Sequence, residues 1–404
     1  MKNKGLLNII SLFWFLKFIF DMFYMQKILT VVISLFSFII LIISLKEYKM
    51  KFRLTDLFVL IMIILFTRSF LKSTELYIDY LKIVSAFVMY FLGRILYTEE
   101  NKIEKSILLS LSIVFVINLI VCLTGNGSTI WGSASTLRGL YYFKTDYACM
   151  LSFFLTFWLF SYNKNKLCKL IILLISIVLI ILTNARIYYL ISFMIVIMYF
   201  LYKKNKKIIS FRTMSTLLLG TIIVIFGISQ LSNLTFFREK NMIGLNYNSI
   251  EDLYDSSNTQ GRNEVWNTLL FNFSKQDIIT RTFGTSLDFY KENSYNGYTE
   301  HNTYVKVLLN TGYFGLIVFI LFICSILLSI RKINDYKTEY LIFTLILIFL
   351  VSGISAPTIL YVNTSWLPLF YAGLSISNSL LIEKKENKKE EKEINEIKKF
   401  LTQA

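Results

Sequence analysis

Apolar runs of about 20 residues, repeated from one end of the chain to the other, leave this sequence few ways to fold. Inside a hydrocarbon layer a backbone has no water to bond with. Each run must therefore close its own hydrogen bonds as a helix. Twelve such runs stand at roughly 6–24, 27–45, 55–71, 76–96, 105–124, 146–162, 168–184, 187–202, 214–231, 313–330, 339–355 and 364–382. They predict an all-α polytopic integral membrane protein with about twelve transmembrane helices. The first two runs almost touch in the sequence, which predicts a tight helical hairpin. Charged residues are only 17% of the 404, against about 25% in a typical soluble domain. The composition excludes a disordered chain, a collagenous chain and a disulfide scaffold. No small-residue cleavage site follows the first run, so the first helix is expected to remain.

The net charge of +16 could suggest nucleic acid. Its distribution argues otherwise, because the basic residues sit between apolar runs rather than on one patch. Taken alternately, one set of connecting segments holds 27 Lys and Arg and the other 13, seven of which belong to the single long segment 232–312. Long loops hardly count in the positive-inside rule. Both termini are thus expected to be cytoplasmic and the 232–312 loop external. The organisation expected is nine transmembrane helices over 1–231, the external loop over 232–312, three more helices over 313–382 and a charged cytoplasmic tail over 383–404. The tail mixes Lys and Glu with Ile394, Ile397 and Leu401 at helical spacing, which suits a solvated tail or a helix on the inner leaflet. Cys122, Cys149, Cys168 and Cys324 include no CxxC pair, so no metal site or disulfide is expected.

The external loop is too long to be structureless without a function. Val265, Trp266, Leu269, Leu270 and Phe273 recur at helical spacing, with Ser257, Asn258 and Thr259 ahead of them as capping residues. Arg262 falls near the first turn of that helix. A second helix is expected to start near Glu300, His301, Asn302 and Thr303 and to close at Gly312. His301 is the only histidine in the chain. A helix N-terminus disfavours imidazolium, and a neutral imidazole can take a proton from a hydroxyl. Its ordinary reading is a loop histidine with a capping role. Arg138, Arg186 and Arg262 could together bind a pyrophosphate through forked, permanently charged donors. Singly, they read as a loop charge, a snorkelling helix-end residue and a helix-surface charge. Lys17 with Asp21, and Asp79 with Lys82, lie inside apolar runs toward the external side. They are expected to pair and to border an outward-opening polar vestibule.

Four segments, read together, resemble the O-antigen ligase/polymerase family of bacterial surface-polysaccharide enzymes. Leu137-Arg138-Gly139-Leu140-Tyr141 is similar to that family's Arg-Gly element. Thr183-Asn184-Ala185-Arg186 is similar to its Ser-Arg element, with Ala185 where Ser is usual. Gly261-Arg262-Asn263-Glu264-Val265-Trp266 matches its Gly-Arg-x-x-x-Trp element. Glu300-His301-Asn302-Thr303-Tyr304, with Gly312 downstream, matches its His-Asn element. The resemblance spans roughly residues 130–315. It implies a metal-independent, membrane-embedded glycosyltransferase (GT-C-like) architecture without a cofactor. The implied donor is an oligosaccharide on undecaprenyl pyrophosphate. A polymerase passes that chain to a sugar hydroxyl of another lipid-linked repeat unit, whereas a ligase uses another acceptor. His301 would be the base, Arg262 catalytic, and Arg186 and Arg262 with Arg138 would hold the pyrophosphate. The implied setting is the bacterial cytoplasmic membrane, with the active site on the external face and a chain-length regulator as a partner. A flippase for lipid-linked sugars would need polar intramembrane residues reaching the cytoplasmic half, whereas here they cluster outward, and an envelope scaffold would not require a lone histidine beside a Gly-Arg-x-x-x-Trp segment.

Overall fold

The computed structural model describes residues 4–23, 27–48, 50–96, 100–131, 134–162, 165–204 and 262–379. The span expected at 214–231, the capping residues Ser257 to Thr259 and the tail lie outside these residues. The described helices are α1 (Lys4–Met22), α2 (Lys27–Glu47), α3 (Leu54–Leu71), α4 (Tyr77–Leu96), α5 (Glu100–Leu123), α6 (Lys144–Ser161), α7 (Lys166–Leu182) and α8 (Arg186–Lys203). Then come α9 (Arg262–Ser274), α10 (Ile278–Phe283), α11 (Phe289–Asn293), α12 (Thr303–Arg331) and α13 (Tyr336–Ser352), and α14 over 362–379. Helices thus stand at eleven of the twelve expected spans. Seven of them (α1 to α5, α8 and α12) are long and apolar enough to cross a membrane. The protein is an all-α polytopic membrane protein. Its one departure among the described residues is a small antiparallel hairpin, β1 (Ser128–Trp131) with β2 (Ala134–Leu137), which pairs Ser128 with Leu137.

Helices apolar on every side belong in the interior of a bundle, and α6 and α14 take that place. Nearly every residue of both is buried. The expected hairpin of the first two helices is corrected in one respect. They touch, but α1 packs mainly on α5 and α2 mainly on α4, because each has a larger complementary face there. Phe13 of α1 stacks on Trp366 of α14 with ring centres 5.8 Å apart. Glycines let α4 and α14 approach closely, as small residues do between membrane helices. A Cβ on Gly93 would collide with the Phe370 carbonyl, and one on Gly373 with the Tyr90 carbonyl.

Two charged groups inside the bundle are paired as membrane burial demands. Lys17 meets Asp21 at 2.6 Å, both buried. Arg94, inside the span expected at 76–96, is only 2% exposed. It binds Asp56 of α3 at 2.8 and 3.0 Å, Ser377 of α14 at 2.5 Å and the Lys51 carbonyl at 2.6 Å. Tyr90 adds a bond to Asp56 at 2.7 Å. Three helices are tied by this one guanidinium. The Lys82 and Asp79 pair also forms, at 3.1 Å and partly exposed.

Helix α12 contains a break. Gly312 has φ 71 and ψ −174, a conformation open essentially to glycine alone. The expected helix end at Gly312 is therefore real as a local geometry, but a second helical segment follows at once and carries on to Arg331.

Candidate active site

The segment before α12 is held on both flanks of His301. Asn302 caps the helix, its side-chain oxygen accepting from the Tyr304 and Val305 N–H groups at 2.8 and 3.0 Å. Its amide also donates to the Ile354 carbonyl at 3.0 Å. Thr303 N–H donates to the Gly353 carbonyl at 2.7 Å. The Thr303 hydroxyl reaches the Ala356 carbonyl at 3.0 Å and the Thr358 hydroxyl at 2.8 Å, and accepts from the Thr358 N–H at 2.7 Å. The α13–α14 connector is thereby strapped to the start of α12. On the other flank, buried Glu300 pairs with buried Lys306 at 3.2 Å, and Trp266 Nε1–H donates to the Glu300 carbonyl.

Between these anchors His301 takes a left-handed backbone, φ 43. For a non-glycine residue this costs about 1–3 kcal/mol and persists only when the surroundings impose it. Thr299 Oγ1 lies 3.3 Å from His301 Nε2 and orients the ring. Arg262 arrives from α9, which is seated on the first half of α12. Val265, Leu269 and Phe273 of α9 form a small separate core there with Phe289 and Leu309. The four-residue step from Arg262 to Trp266 is one helical turn. The same helix thus presents the arginine and bonds the chain next to the histidine.

Three further residues converge on this place. Arg186 is the first residue of α8 and Lys144 the first of α6, while Tyr361 immediately precedes α14. Burial holds Arg262 below the usual arginine range, Arg186 adds to that, and Tyr361 opposes it. Lys144 is depressed by burial first, then by Arg186 and Arg262. His301 is pushed below its ordinary value by burial, then by Arg262, with Glu300 opposing. These groups therefore share one electrostatic neighbourhood. Five helices, α6, α8, α9, α12 and α14, begin at it. Backbone N–H groups at helix starts carry partial positive charge and favour anions. Cations gathered at helix N-termini suit an anionic ligand.

The structure thus gathers Arg186, Arg262 and His301. Arg138 is placed in the loop after β2, where its guanidinium reaches the Tyr142 carbonyl at 3.4 Å. It is not among the charges acting on Lys144, Arg262 or His301. Sequence reasoning gave neither Lys144 nor Tyr361 a role. The available signal was position: like Arg186, each opens a span on the side opposite the basic-rich segments.

Fold and site define a polytopic membrane protein in which Arg186, Lys144 and Arg262 lie close to a half-buried histidine whose pKa is pushed below its ordinary value. Residues 170–320 match the family model described as O-antigen ligase, a stretch that includes Arg186, Arg262 and His301. Over that stretch the chain is similar to the O-antigen ligase family, whose members carry out glycan transfer of O-antigen ligase/polymerase type. No curated protein matches the chain.

Proposed function

We propose that this protein is a polymerase of bacterial surface polysaccharide, of O-antigen or capsule type. It transfers an undecaprenyl-pyrophosphate-linked glycan onto a sugar hydroxyl of another lipid-linked repeat unit. The observation that carries the reading is the gathering of buried cations beside the lone histidine: burial and then Arg186 lower Arg262, burial and then Arg186 and Arg262 lower Lys144, and burial and then Arg262 lower His301. In this reading Arg262 and Arg186, joined by Lys144, bind the pyrophosphate, with Arg138 approaching from its loop once the donor is present.

The acceptor oxygen attacks the anomeric carbon. The bond from that carbon to the pyrophosphate oxygen breaks, and its electron pair leaves with the pyrophosphate. Fixed guanidinium groups stabilise the charge that develops there. A ring nitrogen of His301 takes the hydroxyl proton as the new bond forms. The site lies on the external face of the bacterial cytoplasmic membrane, with both termini and the 383–404 tail inside and the 232–312 segment outside. A chain-length regulator is a partner in this reading.

The test supplies purified protein in nanodiscs with an undecaprenyl-pyrophosphate-linked repeat unit, in EDTA, and separates products by size. A ladder spaced by one repeat unit is expected. Transfer only to an added lipid A core or another acceptor would make the protein a ligase instead. No transfer to any acceptor would remove the enzyme reading and leave lipid-linked sugar transport to be measured in vesicles.

A further inference from the structure

The far end of α9 and the whole of α10 expose apolar side chains where a water-facing loop would not. Ile278 is 72% exposed, Ile279 61% and Phe271 58%. They do not stand alone. The Phe283 ring of α10 meets Phe314 of α12 edge-on at 5.9 Å, and Phe273 of α9 meets Tyr313 likewise at 5.8 Å. Phe314 and Tyr313 head the exposed apolar stripe of a membrane-crossing helix, which continues through Ile317 and Ile320. The exposed face of α10 is thus continuous with the exposed apolar face of a helix long and apolar enough to cross a membrane.

Contacts fix the height of this element. Arg68, one turn from the end of α3, donates to the Phe283 and Gly284 carbonyls, both at 2.8 Å. Lys72, just past that end, donates to the Gly284 carbonyl at 2.9 Å. The α9–α10 corner therefore sits where α3 leaves the apolar layer. Its cations have the matching arrangement. Lys275 extends over the Phe271 ring at 3.9 Å, as a snorkelling lysine does. Among the described residues Arg281 Nε has no hydrogen-bond acceptor. Burial, then Arg68, pulls the Lys72 ammonium below its ordinary value, with only Asp277 opposing.

From this placement we propose that the α9–α10 corner is a membrane-seated wedge. Its Ile278, Ile279 and Phe271 side chains enter the lipid on the site's side of the bilayer, and Lys275 and Arg281 hold anionic phospholipid headgroups. Apolar residues backed by cations are how a short element lies in an interface. The proposal stands independently of the proposed function.

The test places photoreactive benzoylphenylalanine at Ile278 or Ile279, one at a time, in the full chain. Ile317 serves as a lipid-facing control and Tyr295, 52% exposed at the site's end, as a water-facing control. Nanodiscs contain equal amounts of phosphatidylglycerol and phosphatidylcholine, and adducts are read by mass. The expected result is phospholipid adducts at 278 and 279 in yield comparable to 317, enriched in phosphatidylglycerol. Lys275→Gln should lower that enrichment by about fivefold, the effect of one surface cation near an anionic leaflet. Adduct yield no higher than at Tyr295 would overturn the proposal, as would cross-links to a second copy of the chain in place of lipid. Lipid adducts without phosphatidylglycerol enrichment would overturn the headgroup assignment.

Discussion

At His301 the chain accepts an unfavourable backbone to aim one imidazole, and what fixes it is hydrogen bonding on both sides rather than its own preferences. His301→Ala should leave expression and membrane insertion intact and lower transfer by about a hundredfold to ten-thousandfold, the range for a general base. The ladder assay with the single variant measures it; undiminished transfer would remove the base role. Arg262→Lys keeps a charge but loses the fork. It should cost about a hundredfold in turnover, in line with loss of one charge-stabilising donor. The pH dependence has a definite sign. The base must be unprotonated, and burial with Arg262 holds His301 low. The acid limb of the rate profile should therefore fall below the ordinary histidine value of about 6.5. Arg262→Gln removes a positive neighbour, so in the residual activity that limb should move upward.

Among the elements, α12 joins two tasks through one glycine. Its first segment carries the histidine side and its second crosses the apolar layer. Gly312→Ala forces a side chain into a glycine-only conformation, and the added Cβ would meet the Thr282 carbonyl of α10. Loss of about 1–3 kcal/mol should appear as a lower Tm in detergent, with transfer falling alongside. The helices themselves were legible in the sequence because hydrophobic run length is a local signal. The start of α12 near Asn302 was legible too, although Asn302 itself was not singled out as its cap. Gly312 was read as the end of one helix with a span starting at 313, and the structure joins the two segments at this one residue. The pairing of Arg94 was not legible for the opposite reason. Its partner Asp56 is 38 residues away, and charge counting has no view of a pairing across helices.

For the whole molecule, the cationic centre exists only once five helix starts arrive at one end of the bundle. The arginines could be picked out singly by their family-like surroundings. Lys144 and Tyr361 could not, since each looks like an ordinary span boundary until the bundle closes. Lys144→Gln should weaken donor binding more than turnover, raising KM several-fold with a smaller change in kcat, because it supplies charge without a fork. Steady-state transfer at varied donor concentration distinguishes the two, and a purely kcat effect would place Lys144 outside donor binding.

The strap between α12 and the α13–α14 connector has one more consequence. Surface connectors are usually the most replaceable part of a chain. This one joins residues 353 to 358 to Asn302 and Thr303, the two residues after His301, and then delivers Tyr361 to the same centre, so its length works as a fixed gauge between two halves of the site. A single glycine inserted after Ile359 should leave the helices folded and yet uncouple donor from acceptor. Among described loops of similar exposure, this is where homologues should tolerate the fewest insertions.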